Sequence, residues 1–305
     1  MLGTPQADVP SFFRHAYADR RIFRHMRAHV DIDDPADLFG HKLSGYSFAQ
    51  SHGLRIPVLH GLWDEPEHIA WDELPDRTVI KPHTGHHSHG VFPLRRHSGE
   101  WTIVTKTGPT SPTAVVEQLR QLTAERKIGG PYFAEELFGG GEGNVLPTEV
   151  RVFTFYGEVG LVNVRKSSDH GNIEGVAICR FLEDGTPGPV HPHHDDSITP
   201  PANFDELVAV GKRLSLAIPR PFVRVDLYDL DGEVAFGELT RRPGGSQDLG
   251  AATDRRLGEL WEKAQARLFS DLIDGASFSL SYGLGPRELM IGDRAYVPPH
   301  GWVYP

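Results

Sequence analysis

Apolar residues recur at helical spacing in five stretches of the chain. In the first, over residues 11–30, Phe12, Ala16, Ile22 and Met26 stand among arginines and histidines. An apolar residue at every third or fourth position is typical of an amphipathic helix. The same spacing predicts four further helices, over residues 37–52, 112–128, 203–218 and 254–273. Gly129 and Gly130 are expected to end the third of the five helices.

Other stretches alternate apolar and polar residues, which is typical of strands with one buried face. Two of them predict hairpins: residues 148–164, with a turn at Tyr156-Gly157, and residues 222–240, with a turn at Asp231-Gly232. Glycine favours such turns because it tolerates a positive φ. Single strands are predicted over residues 54–62, 78–82, 101–106 and 132–138. The glycine- and proline-rich tail, residues 277–305, is expected to pack along the surface in short apolar pieces.

The second hairpin carries polar and charged residues at alternating positions. Side chains two residues apart share a face of a strand, so Arg224 and Asp226 point the same way, and so do Glu238 and Thr240. The hairpin is expected to bring the two pairs side by side. Proteins hold Mg²⁺ through one or two carboxylates together with substrate phosphates, so this face is a candidate magnesium site. The alternative is a cross-strand salt-bridge ladder on a solvated face.

The composition is ordinary for a soluble globular protein and narrows the classes of function. The 305 residues carry a net charge of −10 and show no sustained basic stripe, so we expect no nucleic-acid partner. No stretch is apolar enough to span a membrane, and the N-terminal residues lack a signal-peptide pattern. The single cysteine, Cys179, excludes an internal disulfide. Together these features predict a cytoplasmic protein.

A loop of small and polar residues follows the strand that ends near Lys81. Residues 83–91 combine glycine, serine and threonine with four histidines, and such loops let backbone N–H groups approach a phosphate. No Walker A sequence and no G-x-G-x-x-G sequence occurs in the chain. Histidines also cluster at residues 191–194, followed by two aspartates. Zinc is one interpretation of both clusters, but neither has the Cys or HExxH pattern of zinc sites, which favours solvated polar loops.

Three segments, taken in order, resemble a known family. They are DELPDRTVIKPHTGHHSHGV (residues 72–91), TEVRVFTFYGEVGLVNV (residues 148–164) and FVRVDLYDLDGEVAFGELTRRPGG (residues 222–245). Over about residues 36–250 the chain is similar to the TupA-like branch of the ATP-grasp superfamily, which is named for teichuronic acid biosynthesis. The resemblance implies an α+β fold, the ATP-grasp fold, in which two lobes clasp ATP. It implies a reduced N-terminal segment (1–60), a first lobe (61–138) and a second lobe with the metal site (139–305).

The resemblance also assigns roles to the residues that match the family's motifs. The implied roles are phosphate binding by Lys42, Lys81, Gly85, Ser88 and Gly90; adenine binding by Glu135, Glu136 and Leu137; Mg²⁺ binding by Asp226, Glu238 and Thr240; and stabilisation of the reacting phosphate by Arg224. Two positions depart from the family's pattern. His41 stands where the family often has aspartate, and His83 replaces a common asparagine. Thr240 replaces the asparagine of many superfamily members, but the TupA-like branch also has threonine there.

The resemblance implies an ATP-dependent ligase that joins a small-molecule carboxylate to an amine through an acyl phosphate and releases ADP and phosphate. The product would be a peptide, a specialised metabolite or a cell-surface polysaccharide. Many superfamily members are dimers, so the resemblance is compatible with a homodimer, but the sequence leaves the oligomeric state open. Arginine forks match carboxylates, so the substrate candidates are Arg151, Arg165, Arg241 and Arg242, although each is equally well read as a surface arginine. The alternatives are a small-molecule kinase on the same fold and a non-catalytic nucleotide-binding protein.

Overall fold

Two β-sheets and five α-helices make up the described part of the chain. The computed structural model describes residues 9–29, 40–86, 88–106, 108–139, 146–168, 173–241, 248–276 and 282–298. The helices are α1 (Phe12–His29), α2 (Lys42–Ser51), α3 (Pro112–Ala124), α4 (Phe204–Leu216) and α5 (Gly250–Ile273). The strands are β1 (Leu59–Trp63), β2 (Arg77–Gly85), β3 (Phe92–His97), β4 (Glu100–Ile103), β5 (Pro109–Thr110), β6 (Ile128–Glu136), β7 (Glu149–Phe155), β8 (Glu158–Ser167), β9 (Val176–Phe181), β10 (Val223–Leu230), β11 (Glu233–Thr240), β12 (Leu289–Ile291) and β13 (Arg294–Tyr296).

The first sheet has eight strands in the order β13-β12-β1-β6-β2-β3-β4-β5. Neighbouring strands are antiparallel except for β1 and β12, which are parallel. The prediction that the tail only packs along the surface is therefore wrong for β12 and β13, because Leu289 is fully buried beside β1. The sheet thus draws strands from both ends of the chain. The predicted division at residues 60 and 138 stays a prediction.

The second sheet has five antiparallel strands in the order β11-β10-β7-β8-β9. Both predicted hairpins are confirmed, as β7–β8 and β10–β11, and their turn residues have the expected positive φ. Strand β7 has an apolar face, which packs in the core, and a face that carries polar side chains. Val150 and Val152 belong to the large core on the face that α4 covers, and Gly211 of α4 sits directly against Val152. Glu149 and Arg151 point to the other face, which at this end is open.

Aromatic side chains cover the remainder of that other face. Phe153 of β7 and Phe222, just before β10, pack against Phe12 of α1 and Trp261 of α5. Rings at centroid distances between 4.9 and 6.4 Å form a continuous cluster there. Because this cluster ends where Arg151 begins, it leaves the polar half of the sheet face free to line a cleft.

Helix α3 differs from its prediction at one end. Ser111 caps its N-terminus as expected and accepts a hydrogen bond from the Ala114 N–H at 3.1 Å. The helix ends at Ala124, however, so the prediction that Gly129 and Gly130 end it is wrong. Both glycines belong to β6, and a Cβ at Gly129 would lie 2.8 Å from Thr84 Oγ1. Glycine is needed there for the close approach of β6 to β2.

None of the helices in the described ranges is both long enough and apolar enough to cross a membrane.

Candidate active site

A cleft of about 700 Å³ lies between the two sheets. Strands β2 and β6 and the start of α2 line one side, and strands β7, β8, β10 and β11 line the other. The structure brings most of the sequence-predicted residues into this cleft: Lys42, Lys81, Gly85, Ser88, Glu135, Glu136, Leu137, Arg151, Arg165, Arg224, Asp226, Glu238 and Thr240. Residues that are far apart in sequence therefore share one cavity.

Two of the predicted residues that the structure describes, Gly90 and Arg241, do not line the cleft. Gly90 has a φ of +71°, and a Cβ there would lie 2.9 Å from Ile128 Cδ1. The absence of a side chain at Gly90 therefore lets the loop between β2 and β3 pack closely against β6. Arg241, at the end of β11, is half-buried beside the cleft. Arg242 lies outside the described residues. The substrate roles of both arginines stay predictions.

The β10–β11 hairpin places two carboxylates directly opposite each other. Asp226 pairs with Glu238, and Arg224 pairs with Thr240. This register depends on a bulge at Gly237, which has no partner between the pairs Leu227–Phe236 and Asp226–Glu238. Without the extra residue, Asp226 would face Gly237, and Glu238 would point to the opposite side of the sheet. The bulge therefore assembles the two-carboxylate pair.

Arg224 hydrogen-bonds to both carboxylate oxygens of Asp226. Its Nε donates to Oδ1 at 2.7 Å and its Nη2 to Oδ2 at 2.6 Å, and Nη2 also donates to Thr240 Oγ1 at 2.9 Å. Burial of Asp226, which is 2% exposed, raises its pKa to about 6, although Arg224 acts in the opposite direction. The Thr240 hydroxyl thus supports Arg224, and its role as a metal ligand stays a prediction.

The donor set fits Mg²⁺. Asp226 and exposed Glu238 offer hard oxygens from one cross-strand pair, and each carboxylate oxygen has a second lone pair beyond those that Arg224 uses. No group of three or more His, Cys, Asp or Glu side chains arranged to hold a metal occurs within the described ranges. Two carboxylates are sufficient for Mg²⁺ when phosphate oxygens complete its coordination.

Two lysines face this hairpin from the other side of the cleft. Lys42 is the first residue of α2, and its Nζ donates to the Gly85 carbonyl oxygen at 3.4 Å. Burial lowers the pKa of Lys42, and the nearby charge of Lys81 lowers it further, whereas Glu238 raises it. The site therefore has cations on one wall and the carboxylate pair on the other. This arrangement suits a polyphosphate bound with a metal ion.

Glu135 holds Lys81 in place. Its carboxylate is 2% exposed and forms an ion pair with Lys81 Nζ through Oε1, while Oε2 accepts a hydrogen bond from the Tyr46 hydroxyl at 2.6 Å. Both carboxylate oxygens are thus engaged within the protein, and the predicted adenine contact of Glu135 stays a prediction. Our sequence analysis missed Tyr46, because its spacing in α2 marks it as a core residue.

Glu149 binds two of the predicted substrate arginines. Its Oε2 accepts hydrogen bonds from Arg151 Nη2 at 2.8 Å and from Arg165 Nη1 at 3.1 Å. Burial would raise the pKa of Glu149, but the two guanidinium groups outweigh it and hold the pKa at about 2. Arg151 Nε lies 4.0 Å from Asp226 Oδ2, which is too far for a hydrogen bond. One carboxylate shared by two arginines leaves net positive charge beside the Asp226–Glu238 pair.

The histidines of residues 83–91 and of residues 191–194 lie in different parts of the structure. His83 is 5% exposed, accepts the Leu43 N–H through Nδ1 at 3.4 Å and packs against His41, so it fastens the start of α2. Burial lowers the pKa of His83 to about 4. His191 and His193 line the far end of the cleft. His87 lies outside the described residues.

We expect the Asp226→Asn variant to lose part of the pH dependence of stability. Asp226 has a higher pKa when folded than when unfolded, so its contribution is complete below about pH 4 and is lost as the pH rises through 6. From pH 4 to 7 the wild-type free energy of unfolding should fall relative to that of the variant by about 2 kcal/mol. Urea denaturation in EDTA measures this difference.

Comparing the wild type with the Asp226→Asn variant isolates the contribution of Asp226 to the pH dependence of stability. His83 and His191, whose pKa values burial lowers to about 4, change stability in the opposite direction over the same pH range in both proteins. A difference in unfolding free energy that does not depend on pH would contradict the raised pKa of Asp226.

Solved structures similar to this one share little sequence with it. D-alanine–D-alanine ligase from Bacillus anthracis is 14% identical, with 78% of this chain and 71% of that chain covered and a TM-score of 0.48. A RimK domain protein from Sphaerobacter thermophilus is 12% identical, with 75% and 68% covered and a TM-score of 0.46. Macrocyclase MdnC from Microcystis aeruginosa, bound with the precursor peptide MdnA, is 15% identical, with 87% and 75% covered and a TM-score of 0.42.

The sequence itself matches a family. No significant match was found among curated proteins. The model of the TupA-like ATP-grasp family, in contrast, matches residues 25–262, which include both hairpins, the two cleft lysines and the loop between β2 and β3. The resemblance carried by the three sequence segments is thereby confirmed. This chain belongs to the TupA-like ATP-grasp family.

Proposed function

We propose that this protein is an ATP-dependent carboxylate–amine ligase that forms an amide bond through an acyl phosphate. One observation carries the proposal: Asp226 and Glu238, paired across a hairpin, face Lys42 and Lys81 across one cleft, with Arg224 locked beside them. Membership of the TupA-like ATP-grasp family supports ATP as the phosphoryl donor.

The triphosphate of ATP would lie between the two walls of the cleft. Lys42 and Lys81 would bind phosphate oxygens, and the loop with Gly85 and Ser88 would supply backbone N–H groups. Asp226 and Glu238 would hold Mg²⁺, which when bound neutralises phosphate charge and orients the γ-phosphate. The adenine would lie against the end of β6, where Glu136 and Leu137 line the cleft.

The proposed reaction depends mainly on neutralising negative charge and on positioning the reacting groups. A substrate carboxylate oxygen attacks the γ-phosphorus, the bond to the β-phosphate bridging oxygen breaks, and ADP leaves. The amine nitrogen then attacks the acyl carbon, the C–O bond to phosphate breaks, and phosphate leaves with the bonding electrons while the amine proton passes to phosphate or water. Two anions meet in the first step, so cations must surround them. Arg224 and Arg151 are the cations next to the carboxylate pair.

Arg151 and Arg165 are the candidates to bind the substrate carboxylate. Both line the cleft, and both are oriented by Glu149, which fixes their planar guanidinium groups. Glu149 neutralises one of their two charges and leaves the other for the substrate. A small carboxylate held there would lie on the sheet face next to Asp226, because Arg151 and Asp226 are direct cross-strand partners.

Nucleotide product analysis tests the proposal. The protein is incubated with Mg-ATP, pooled carboxylates and hydroxylamine, which traps an acyl phosphate as a stable hydroxamate. We expect ADP, phosphate and hydroxamate to rise together only when carboxylates and hydroxylamine are both present. ADP with a stable phosphorylated product and no need for an amine would indicate a kinase instead. AMP and pyrophosphate would indicate adenylation and would overturn the acyl-phosphate mechanism.

A further inference from the structure

Tyr46 lies where helix α2 meets both sheets. Its ring packs edge-to-face against Phe133 of β6, in the first sheet, and against Phe236 of β11, in the second, at centroid distances of 6.2 and 6.1 Å. The residue is 1% exposed and borders the cleft. Because interiors are close-packed, a ring held between two others fixes the position of the hydroxyl group at its end.

The Tyr46 hydroxyl is directed at the carboxylate that binds Lys81. It donates to Glu135 Oε2 at 2.6 Å, whereas Glu135 Oε1 forms the ion pair with Lys81 Nζ. Lys81 Nζ also donates to the Tyr46 oxygen at 3.4 Å. Burial and the negative charge of Glu135 keep the pKa of Tyr46 well above its ordinary value, so the phenol stays protonated and remains a donor.

This geometry leaves Lys81 one hydrogen-bond donor for a ligand. An ammonium group has three donors, and within the described part of the chain Glu135 Oε1 and the Tyr46 oxygen take two of them. The hydroxyl occupies Glu135 Oε2, so the carboxylate meets the ammonium through one oxygen only. The same hydrogen bond draws negative charge away from Glu135, which leaves more of the positive charge of Lys81 for a phosphate.

We infer that Tyr46 is a positioning residue for ATP binding, whose hydroxyl acts through Glu135 to keep the Lys81 ammonium directed into the cleft. This inference rests on the proposed ATP-dependent function. Without the hydroxyl, Glu135 Oε2 would be a buried acceptor that has lost its donor, which is costly. The ammonium of Lys81 is the donor beside it, and it would move toward both carboxylate oxygens and away from the phosphates.

The test compares Tyr46→Phe with Tyr132→Phe in the full chain. Each exchange keeps the ring and removes a phenol hydroxyl of a buried tyrosine that is hydrogen-bonded at 2.6 Å, to Glu135 or to Thr123, and Tyr132 is not among the residues that line the cleft. We expect the dissociation constant for Mg-ATP, measured by calorimetry, to rise about threefold to tenfold in Tyr46→Phe, which is the effect of one hydrogen bond. In Tyr132→Phe it should change less than about twofold.

Adenosine distinguishes the positioning of Lys81 from a general disturbance of the cleft. It has no phosphate for Lys81 to bind, so its dissociation constant should be the same in Tyr46→Phe and in the wild type. An equal loss of affinity for Mg-ATP and for adenosine would mean that α2 itself has shifted, and it would overturn the inference. An unchanged affinity for Mg-ATP in Tyr46→Phe would overturn it as well.

The Lys81→Met background gives a second, independent measurement. Once the ammonium is absent, the Tyr46 hydroxyl has nothing to position, so adding Tyr46→Phe should change the dissociation constant for Mg-ATP less than about twofold. A further loss as large as in the wild-type background would overturn the inference while leaving the ligase proposal intact. A wild-type protein that binds no Mg-ATP would overturn both.

Discussion

The Glu238→Gln variant is expected to form ADP at least about 100-fold more slowly than the wild type, with an unchanged thermal unfolding midpoint. Removing one group that stabilises transition-state charge costs about 10²- to 10³-fold in turnover. Glu238 is exposed and stands opposite Asp226, so glutamine keeps its shape while it removes the charge that would hold Mg²⁺. Steady-state ADP release at several Mg²⁺ concentrations, beside a thermal melt, measures both quantities.

The matched control is Asp231→Asn on the same hairpin. Asp231 is exposed in the β10–β11 turn with a φ of +53°, a conformation that asparagine tolerates well. It carries the same charge change far from the cleft, so its turnover should match that of the wild type. Full turnover in Glu238→Gln at limiting Mg²⁺ would exclude Glu238 from the metal site.

The Arg224→Leu variant is expected to lose about 3–5 kcal/mol of unfolding free energy, because it leaves a buried carboxylate without its partner. Asp226 is 2% exposed, and two of the three hydrogen bonds of Arg224 go to its oxygens. Burial already raises the pKa of Asp226 to about 6, and loss of Arg224 removes the main opposing influence. Urea denaturation at pH 7 in EDTA measures the loss.

A double-mutant cycle identifies the cause of that loss. Adding Asp226→Asn to Arg224→Leu removes the uncompensated charge, so the double variant should recover a large part of the lost stability. A double variant as unstable as Arg224→Leu alone would mean that the lost packing of the arginine, rather than the orphaned carboxylate, sets the cost. The cycle reports the coupling of the pair because the two side chains hydrogen-bond directly to each other.

Regular patterns in the sequence predicted most of the described elements. The amphipathic spacing over residues 203–218 and 254–273 gave α4 and α5, and the alternation over residues 148–164 gave β7 and β8. Strand β9 was not predicted, because Val176–Phe181 is a short, mainly apolar run without alternation, and periodicity alone does not distinguish such a run from a buried helical segment. Strand β12 was not predicted either, because its three residues form a strand only where β1 offers an edge.

The sequence alone determined the β10–β11 hairpin, because an Asp-Gly turn between alternating runs has few other ways to fold. The sequence analysis expected its carboxylates to meet, but only the tertiary structure shows the register by which they do so. The bulge at Gly237 shifts the register by one residue and turns Glu238 to the side of Asp226, and no local pattern specifies such a shift. In the same way, the ion pair of Lys81 with Glu135 exists only because β2 and β6, which are distant in sequence, lie side by side. Local periodicity fixes which residues share a strand face, whereas the packing of strands decides which faces meet.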